Sequence, residues 1–356
     1  MKRLIKKAPG VLRKLFGLAL CTGNVLFVQP LWSGGRQASE DKPATGASSA
    51  GAVASSAQED SHYPVRITNY NYEKQPVQMV FTKAPERVVA VYQNSIETLL
   101  ALGLEDRVIA AAGLDHEVKP EWAMAFAKIQ YLTEFTPNKE RVIMLQPDFI
   151  LSWYSLFDEK RLGEVDYWHT RGTNTFIAAN SGVSTSASLE KEYQDILTLG
   201  TIFNVEEKAH VIVNQMRAEV DKVVAYAQGS TKKRVLIMET QSNGLRIYGR
   251  NALGGDMATK LGADVIITES GLISAEALIG HNPDCIFMVY FGSSADKQTA
   301  DAAVNQITGN PAYVSLSAVK NKRVFSIPLG EMYCSGIRTL DGIITLAKGM
   351  YPELYQ

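Results

Sequence analysis

The chain has 356 residues, 46% hydrophobic and 21% charged, with a formal net charge of −1. Residues 1–61 carry eight Lys/Arg against four Asp/Glu, and the remainder carries 28 against 33. This length suits about two domains, each with its own core, and the mildly acidic body argues against nucleic acid as the main partner.

The basic excess lies at the start. "MKRLIKKAPGVLRK" is a positively charged leader, and the apolar "LFGLALCTGNVLFV" after it is broken by Thr22, Gly23 and Asn24. Residues 1–32 read as a secretory signal or an N-terminal membrane anchor, short of the ~20 apolar residues of a comfortable span. Cys21 in Leu-Ala-Leu-Cys resembles the lipidated Cys of a bacterial lipobox, with Leu20 where a small residue is usual. No later segment reaches spanning length, so the body is expected to be exported and soluble. Residues 33–61, rich in Gly, Ala and Ser, read as a flexible tether.

The folded body begins at residue 62. "VRITNYNYEKQPVQMVF" alternates around a Lys-Gln-Pro turn and predicts a β-hairpin. "RVVAVY" (87–92) predicts a buried strand. "SIETLLALG" predicts a helix capped by Ser95 and Gly103. "RVIAAAG", "ERVIMLQPDFILSWY", "DEKRLGEVDYWHTRGT" and "NTFIAA" continue as strand, helix with strand, helix, and strand. Strands alternating with short helices imply a mostly parallel sheet over residues 62–204. "SLEKEYQDILTLGTIF" is an amphipathic helix. "NVEEKAHVIVNQMRAEVDKVVAYAQG" is a long one over 205–229, ended by Gly229. The α/β pattern then restarts over 230–356 with "RVLIMET", "GGDMATKLGADVIIT", "EALIGHNPDCIFMVY", "NKRVFSIPL" and a closing helix in "IRTLDGIITLAKGMYPELY".

Two of these segments match. "ERVIMLQPDFILSWY" (140–154) and "EALIGHNPDCIFMVY" (276–290) share Glu, Ile, Pro, Asp, Ile and Tyr in register. The body therefore reads as two Rossmann-like α/β lobes of like order, each a mostly parallel sheet flanked by helices, joined by one long bridging helix. Pro147 and Pro283 end their helices, and Asp148 and Asp284 turn the chain into the next strand.

The stretches "PERVVAVYQNSIETLLALG", "NKERVIMLQPDFIL", "AEALIGHNPDCIFM", "NPAYVSLSAVKNKRVFSIP" and "GIRTLDGIITLAKGMYPELY" resemble the periplasmic solute-binding proteins of ABC importers for ferric siderophores, haem and cobalamin. With the leader, tether and long helix, the resemblance covers essentially all of residues 63–356. It implies a binding protein, not an enzyme, held in the periplasm or at the outer face of the cytoplasmic membrane. It implies ABC permease subunits with their ATPase as partners, and a small-molecule iron chelate as cargo. The chain is expected to be a monomer that meets the membrane only through its N-terminal segment or a lipid. The resemblance also implies that Glu140 and Glu276, one per lobe, dock onto Arg residues of the permease.

Ligands of open α/β sheets lie beyond the carboxyl ends of the strands. Tyr92, Trp153, Tyr154, Tyr248, Tyr290 and Tyr333 occupy such positions as candidate contacts, since large amphipathic rings suit a bulky or flat ligand. Arg250 and Arg338 are candidates for an anionic group, because guanidinium binds carboxylates bidentately. The family often places an Arg near position 338. His116 is the one histidine near the expected cleft, and histidines 62, 116, 169, 210 and 281 form no metal-ligand spacing. "GRNALGGD" lacks the form of a dinucleotide loop. Cys285 belongs to an apolar run, and its pairing with Cys334 is open at this stage. A ferric siderophore is the first expectation for the ligand, with haem and then cobalamin as alternatives. A metal-chelate or tetrapyrrole-modifying enzyme on the same fold would need an acid/base group in the cleft, and no compact set presents itself.

Overall fold

The computed structural model of the protein describes residues 62–356. The leader, the tether and Cys21 lie outside the described residues. Among the described residues no helix is long and apolar enough to cross a membrane.

The described chain opens with an antiparallel hairpin, β1 (Val65–Tyr70) and β2 (Pro76–Phe81). There follow β3 (Val88–Val91), α1 (Gln93–Ala101), β4 (Val108–Ala112), α2 (Ala123–Phe126), α3 (Lys139–Leu145), β5 (Phe149–Ser152), α4 (Val165–His169) and β6 (Asn174–Ile177). Two helices come next without a strand, α5 (Leu189–Ile202) and α6 (Glu206–Ala227). The second half holds β7 (Arg234–Gln241), β8 (Gly244–Ile247), α7 (Leu253–Lys260), β9 (Asp264–Val265), β10 (Gly271–Ile273) and α8 (Ala275–His281). It ends with β11 (Cys285–Tyr290), α9 (Lys297–Thr308), α10 (Ser317–Lys320), β12 (Val324–Pro328) and α11 (Thr339–Met350).

The two sheets have one plan. The first is parallel, in the order β4-β3-β5-β6. In the second, β9-β7-β11-β12 run parallel in the equivalent order, and β8 and β10 add an antiparallel edge beside β7. Side chains on a strand alternate between faces. Val88 and Ala90 accordingly enter one apolar core while Val89 and Val91 enter another, and Val235 and Ile237 part from Leu236 and Met238 in the same way. The cores on the outer faces are separate. The inner one is continuous, running from Phe149 and Leu151 through Ile196, Val213 and Met216 to Val235, Phe287 and Leu346. The bridging helix α6 and its neighbour α5 thus weld the lobes through shared apolar packing.

The repeated segment is built alike in both lobes. Asn138 and Ser274 cap α3 and α8 by accepting the amides of Arg141 at 2.8 Å and Ala277 at 3.2 Å. Both helices end in a left-handed residue, Gln146 (φ 49°) and Asn282 (φ 41°), just before the Pro. The following Asp does more than turn the chain. Asp148 accepts the amides of Glu86 and Arg87, both at 2.8 Å, and Asp284 accepts that of Arg234 at 2.9 Å. The Arg87 and Arg234 side chains return to carbonyls at the ends of the two helices, Gln146 O at 2.9 Å and Asn282 O at 3.0 Å. Arg and Asp together fasten β3 and β7 to the repeated unit of their lobes.

Some expectations differ from the structure. Ser95 lies buried inside α1, whose N-cap position is Tyr92. The helix read in 158–173 contracts to Val165–His169, and the strand read in "GADVIIT" to two residues. β8, β10 and α9 were not expected; the first two are short strands, β10 at the sheet edge and β8 between it and β7, and α9 buries only Ala303 and Ile307.

Candidate ligand cleft

The cleft forms where β3, β5 and β12 end. Tyr92 follows β3 with φ 77°, a conformation that strains any residue with a bulky side chain. Its ring meets Trp153, which follows β5, at 4.8 Å between centroids, and Phe135 at 6.1 Å. Trp153 crosses to Tyr333 of the other lobe at 5.9 Å. Its indole N–H donates to Asn94 at 2.7 Å, and the Asn94 amide donates to the Cys334 sulfur at 3.6 Å. Cys334 is also at positive φ, 47°. Tyr154 stacks with Tyr72 at 5.9 Å. Rings from both lobes are therefore held together by packing and by a polar relay through Asn94.

Two cations stand against these rings, and a third lies against the buried ring of Tyr248. Lys74 Nζ lies 5.1 Å from the Tyr154 ring, Arg161 donates to the Tyr92 hydroxyl at 3.4 Å, and the Arg246 guanidinium lies 4.9 Å from the Tyr248 ring. Burial raises the Tyr333 hydroxyl above its ordinary value, with Cys334 adding to the rise and Arg246 opposing it, so Arg246 shares the neighbourhood of Tyr333. A cavity of about 440 Å³ is lined by Arg246, Glu239, Gln241, Tyr290 and Phe291. Among the described residues no three His, Cys, Asp or Glu side chains are placed to hold a metal ion.

Several expected contacts are placed elsewhere. Tyr248 is 2% exposed and donates to Glu239 at 3.2 Å, so it supports the core and is not open to a ligand. Arg250 commits its guanidinium to Val265 O at 2.6 Å and Asp264 at 2.9 Å, tying down β9. Tyr290 is nearly buried and donates to Ser293 O at 3.1 Å, and burial pushes its hydroxyl up to about 12. His116 Nδ1 pairs with Glu117 O at 2.9 Å, on the N-lobe side facing Gly330. Both Cys285 and Cys334 are free, buried thiols. Tyr72, Lys74, Phe135, Arg161 and Arg246 were missed. Each lies in a turn, loop or short strand, where spacing carries little facing information.

Arg338 has another role. It is buried and grips Glu97 of the other lobe with two bonds, at 2.5 and 2.7 Å. Around this pair, Lys119 meets Asp341 at 2.5 Å, and the Gly336 amide donates to Glu192 at 2.7 Å. Lys119, Glu331, Arg338 and Asp341 border a cavity of about 510 Å³ at this seam.

The seam also holds carboxyls out of water. Burial raises Glu192 to about 7, against bonds from Asn180, Gly336 and Ser335, and raises Asp195 well above its ordinary value, with Glu192 adding to the effect. A folded-state value above the unfolded one means that the folded state binds the proton more tightly. The stability from Glu192 is thus fully present below the ordinary carboxyl range and lost as pH rises through about 7, by roughly 3 kcal/mol at most. Urea midpoints are expected to fall between pH 5 and pH 8, and Glu192→Gln is expected to flatten the fall.

A two-lobed α/β protein with a bridging helix and a ring-lined cleft belongs to the class of extracytoplasmic solute-binding proteins. Residues 88–329 match the family described as periplasmic binding protein, and the chain belongs to that family. It is similar to a periplasmic binding protein from Veillonella parvula whose structure is solved, 36% identical, with a TM-score of 0.76 over 82% of this chain and 93% of that one. The ABC transporter substrate-binding lipoprotein YvrC of Bacillus subtilis is 22% identical over 83% of this chain and 88% of its own. The petrobactin-binding protein YclQ of the same organism is 26% identical over 71% of this chain and 78% of its own. As a member of that family the chain is a binding protein, not an enzyme.

Proposed function

We propose that this protein captures a ferric siderophore-type chelate between its lobes, outside the cytoplasm, and delivers it to a permease driven by an ATPase. The observation that carries this reading is the ring cluster shared by both lobes, Tyr92 and Trp153 facing Tyr333. Such rings offer a broad apolar wall with polar rims, suited to a bulky chelate. The similarity to the petrobactin-binding protein supports it. Glu140 and Glu276, both exposed and placed alike on α3 and α8, are the proposed permease contacts.

Trp153 provides the test. Ferric catecholate, ferric hydroxamate, haem and cobalamin are titrated against tryptophan fluorescence. Saturable quenching by a ferric siderophore is expected, and Trp153→Leu should remove most of the signal. Quenching by haem or cobalamin alone would change the ligand, and no quenching by any of the four would remove the reading.

A further inference from the structure

The repeat keeps one identical residue that the fold does not use. Among the residues shared by 140–154 and 276–290, Pro147 and Pro283 are buried, Asp148 and Asp284 hold backbone amides, and Ile150 and Ile286 are fully buried in their strands. The exposed remainder is Glu140 with Ile143 on α3, and Glu276 with Ile279 on α8. Ile143 is 41% exposed and Ile279 39%, while Val142 and Leu278 beside them enter the lobe cores. Residues three and four apart share one face of a helix, so each Ile lies next to its Glu. A single exposed Ile needs no explanation. The same Ile beside a carboxylate on both lobes does, because a β-branched residue is a weaker helix former than Lys, Gln or Ala and gains no packing there. Among the described residues neither Glu140 nor Glu276 enters an ion pair. The next position breaks the symmetry: Met144 is 75% exposed, and its counterpart is Gly280.

We infer that the two faces seat on the permease through an apolar anchor beside each carboxylate, and that the seats are unequal. The N-terminal lobe, with Ile143 and Met144, holds more tightly than the C-terminal lobe, with Ile279 alone. This rests on the permease contacts proposed above and adds what the two charges do not supply. A carboxylate without an internal partner is matched by a cation, and an exposed Ile or Met beside it by an apolar recess, so the two together describe one partner surface. Charge pairs steer the encounter and weaken as salt rises, whereas burial of the apolar side chains does not. The charge is the same on both lobes, so the difference between the seats is carried by positions 144 and 280.

The test adds the purified full chain to right-side-out membrane vesicles from cells deleted for it. Radiolabelled ferric catecholate, ferric hydroxamate, haem and cobalamin are supplied in turn, and the chain concentration giving half-maximal uptake is measured at two ionic strengths. Ile143→Ser with Met144→Ser is expected to raise that concentration about tenfold, and Ile279→Ser about threefold, at both ionic strengths. Gly280→Met is expected to lower it; a side chain there meets nothing within 4 Å, so Met fits. Tryptophan quenching and urea midpoints should be unchanged in all of these variants, which separates docking from folding and from ligand binding. Equal shifts from the two lobes, or no shift while Glu140→Lys with Glu276→Lys still abolishes uptake, would overturn the inference and leave charge docking standing. Uptake that survives the double reversal, or uptake of none of the four by the unaltered chain, would remove the underlying reading as well. A dimer in sedimentation that the Ser variants dissolve would assign the faces to a second copy of the chain. Flotation with protein-free phosphatidylglycerol vesicles that the Ser variants lose would assign them to lipid. Either result would also overturn the inference.

Discussion

Replacing Arg338 with alanine is expected to destabilise the protein by about 3–5 kcal/mol. Glu97 has no solvent exposure, and Arg338 supplies two of the three bonds to its carboxylate; the third is the Lys119 amide at 3.1 Å. Truncation leaves a buried anion without its countercharge, which costs more than the pair itself contributes. The double variant Glu97→Leu with Arg338→Met tests this logic, because an apolar pair of similar volume needs no countercharge. Its stability is expected to lie near that of the unaltered protein. The shared inner core ties the lobes together, so a single unfolding transition is expected in urea, with the midpoint moving and the slope preserved. A loss under about 1 kcal/mol for Arg338→Ala would show that water reaches the seam. The consequence for binding is indirect. Arg338 follows Tyr333 by five residues, so a loosened seam should blur the Trp153–Tyr333 contact and weaken ligand affinity.

What the chain reveals in advance follows from periodicity. β3, β7 and β11 are continuous apolar runs because both faces of their sheets are covered, and such runs are visible in any reading. The equivalence of the two lobes was legible through the Glu, Pro, Asp and Tyr held in common by 140–154 and 276–290. The structure adds the strapping role of Arg87 and Arg234, which the spacing does not express. The seam was illegible for another reason. Glu97 and Glu192 look like solvated charges on amphipathic helices, yet both are buried and bonded to groups of the other lobe. The approach of the other lobe likewise turned Arg338 from a candidate ligand contact into a structural one. Tyr248 follows a short strand, and its position after "LRI" does not tell whether its ring faces the cleft or the core. Lys74, Arg161 and Arg246 came from a turn, a loop and a four-residue strand, too short for a period to sort one face from the other.

Reversing both docking carboxylates, Glu140→Lys with Glu276→Lys, is expected to abolish uptake while leaving ligand affinity unchanged. Each lies in the first turn of a seven-residue helix, exposed, with its backbone position fixed by the cap before it and the Pro-Asp after it. Bonds from its own amide and from Ser274 keep the Glu276 carboxyl below its ordinary range, so it stays charged through mildly acidic conditions. The repeat sets the two carboxylates at equivalent places on like lobes, and charge-assisted bonds from a paired cationic partner would align the cleft with the transport path. A lysine in a first helical turn costs only a few tenths of a kcal/mol against the helix dipole, so folding is expected to survive. Single reversals should reduce delivery of radiolabelled chelate into cells by about tenfold, and the double reversal should leave only background. Fluorescence titration of the same variants separates the two steps, because the cleft cations and rings are untouched. Uptake that persists in the double variant would mean that the lobes meet the permease elsewhere, and the shared Glu would then serve only as an N-terminal helix charge.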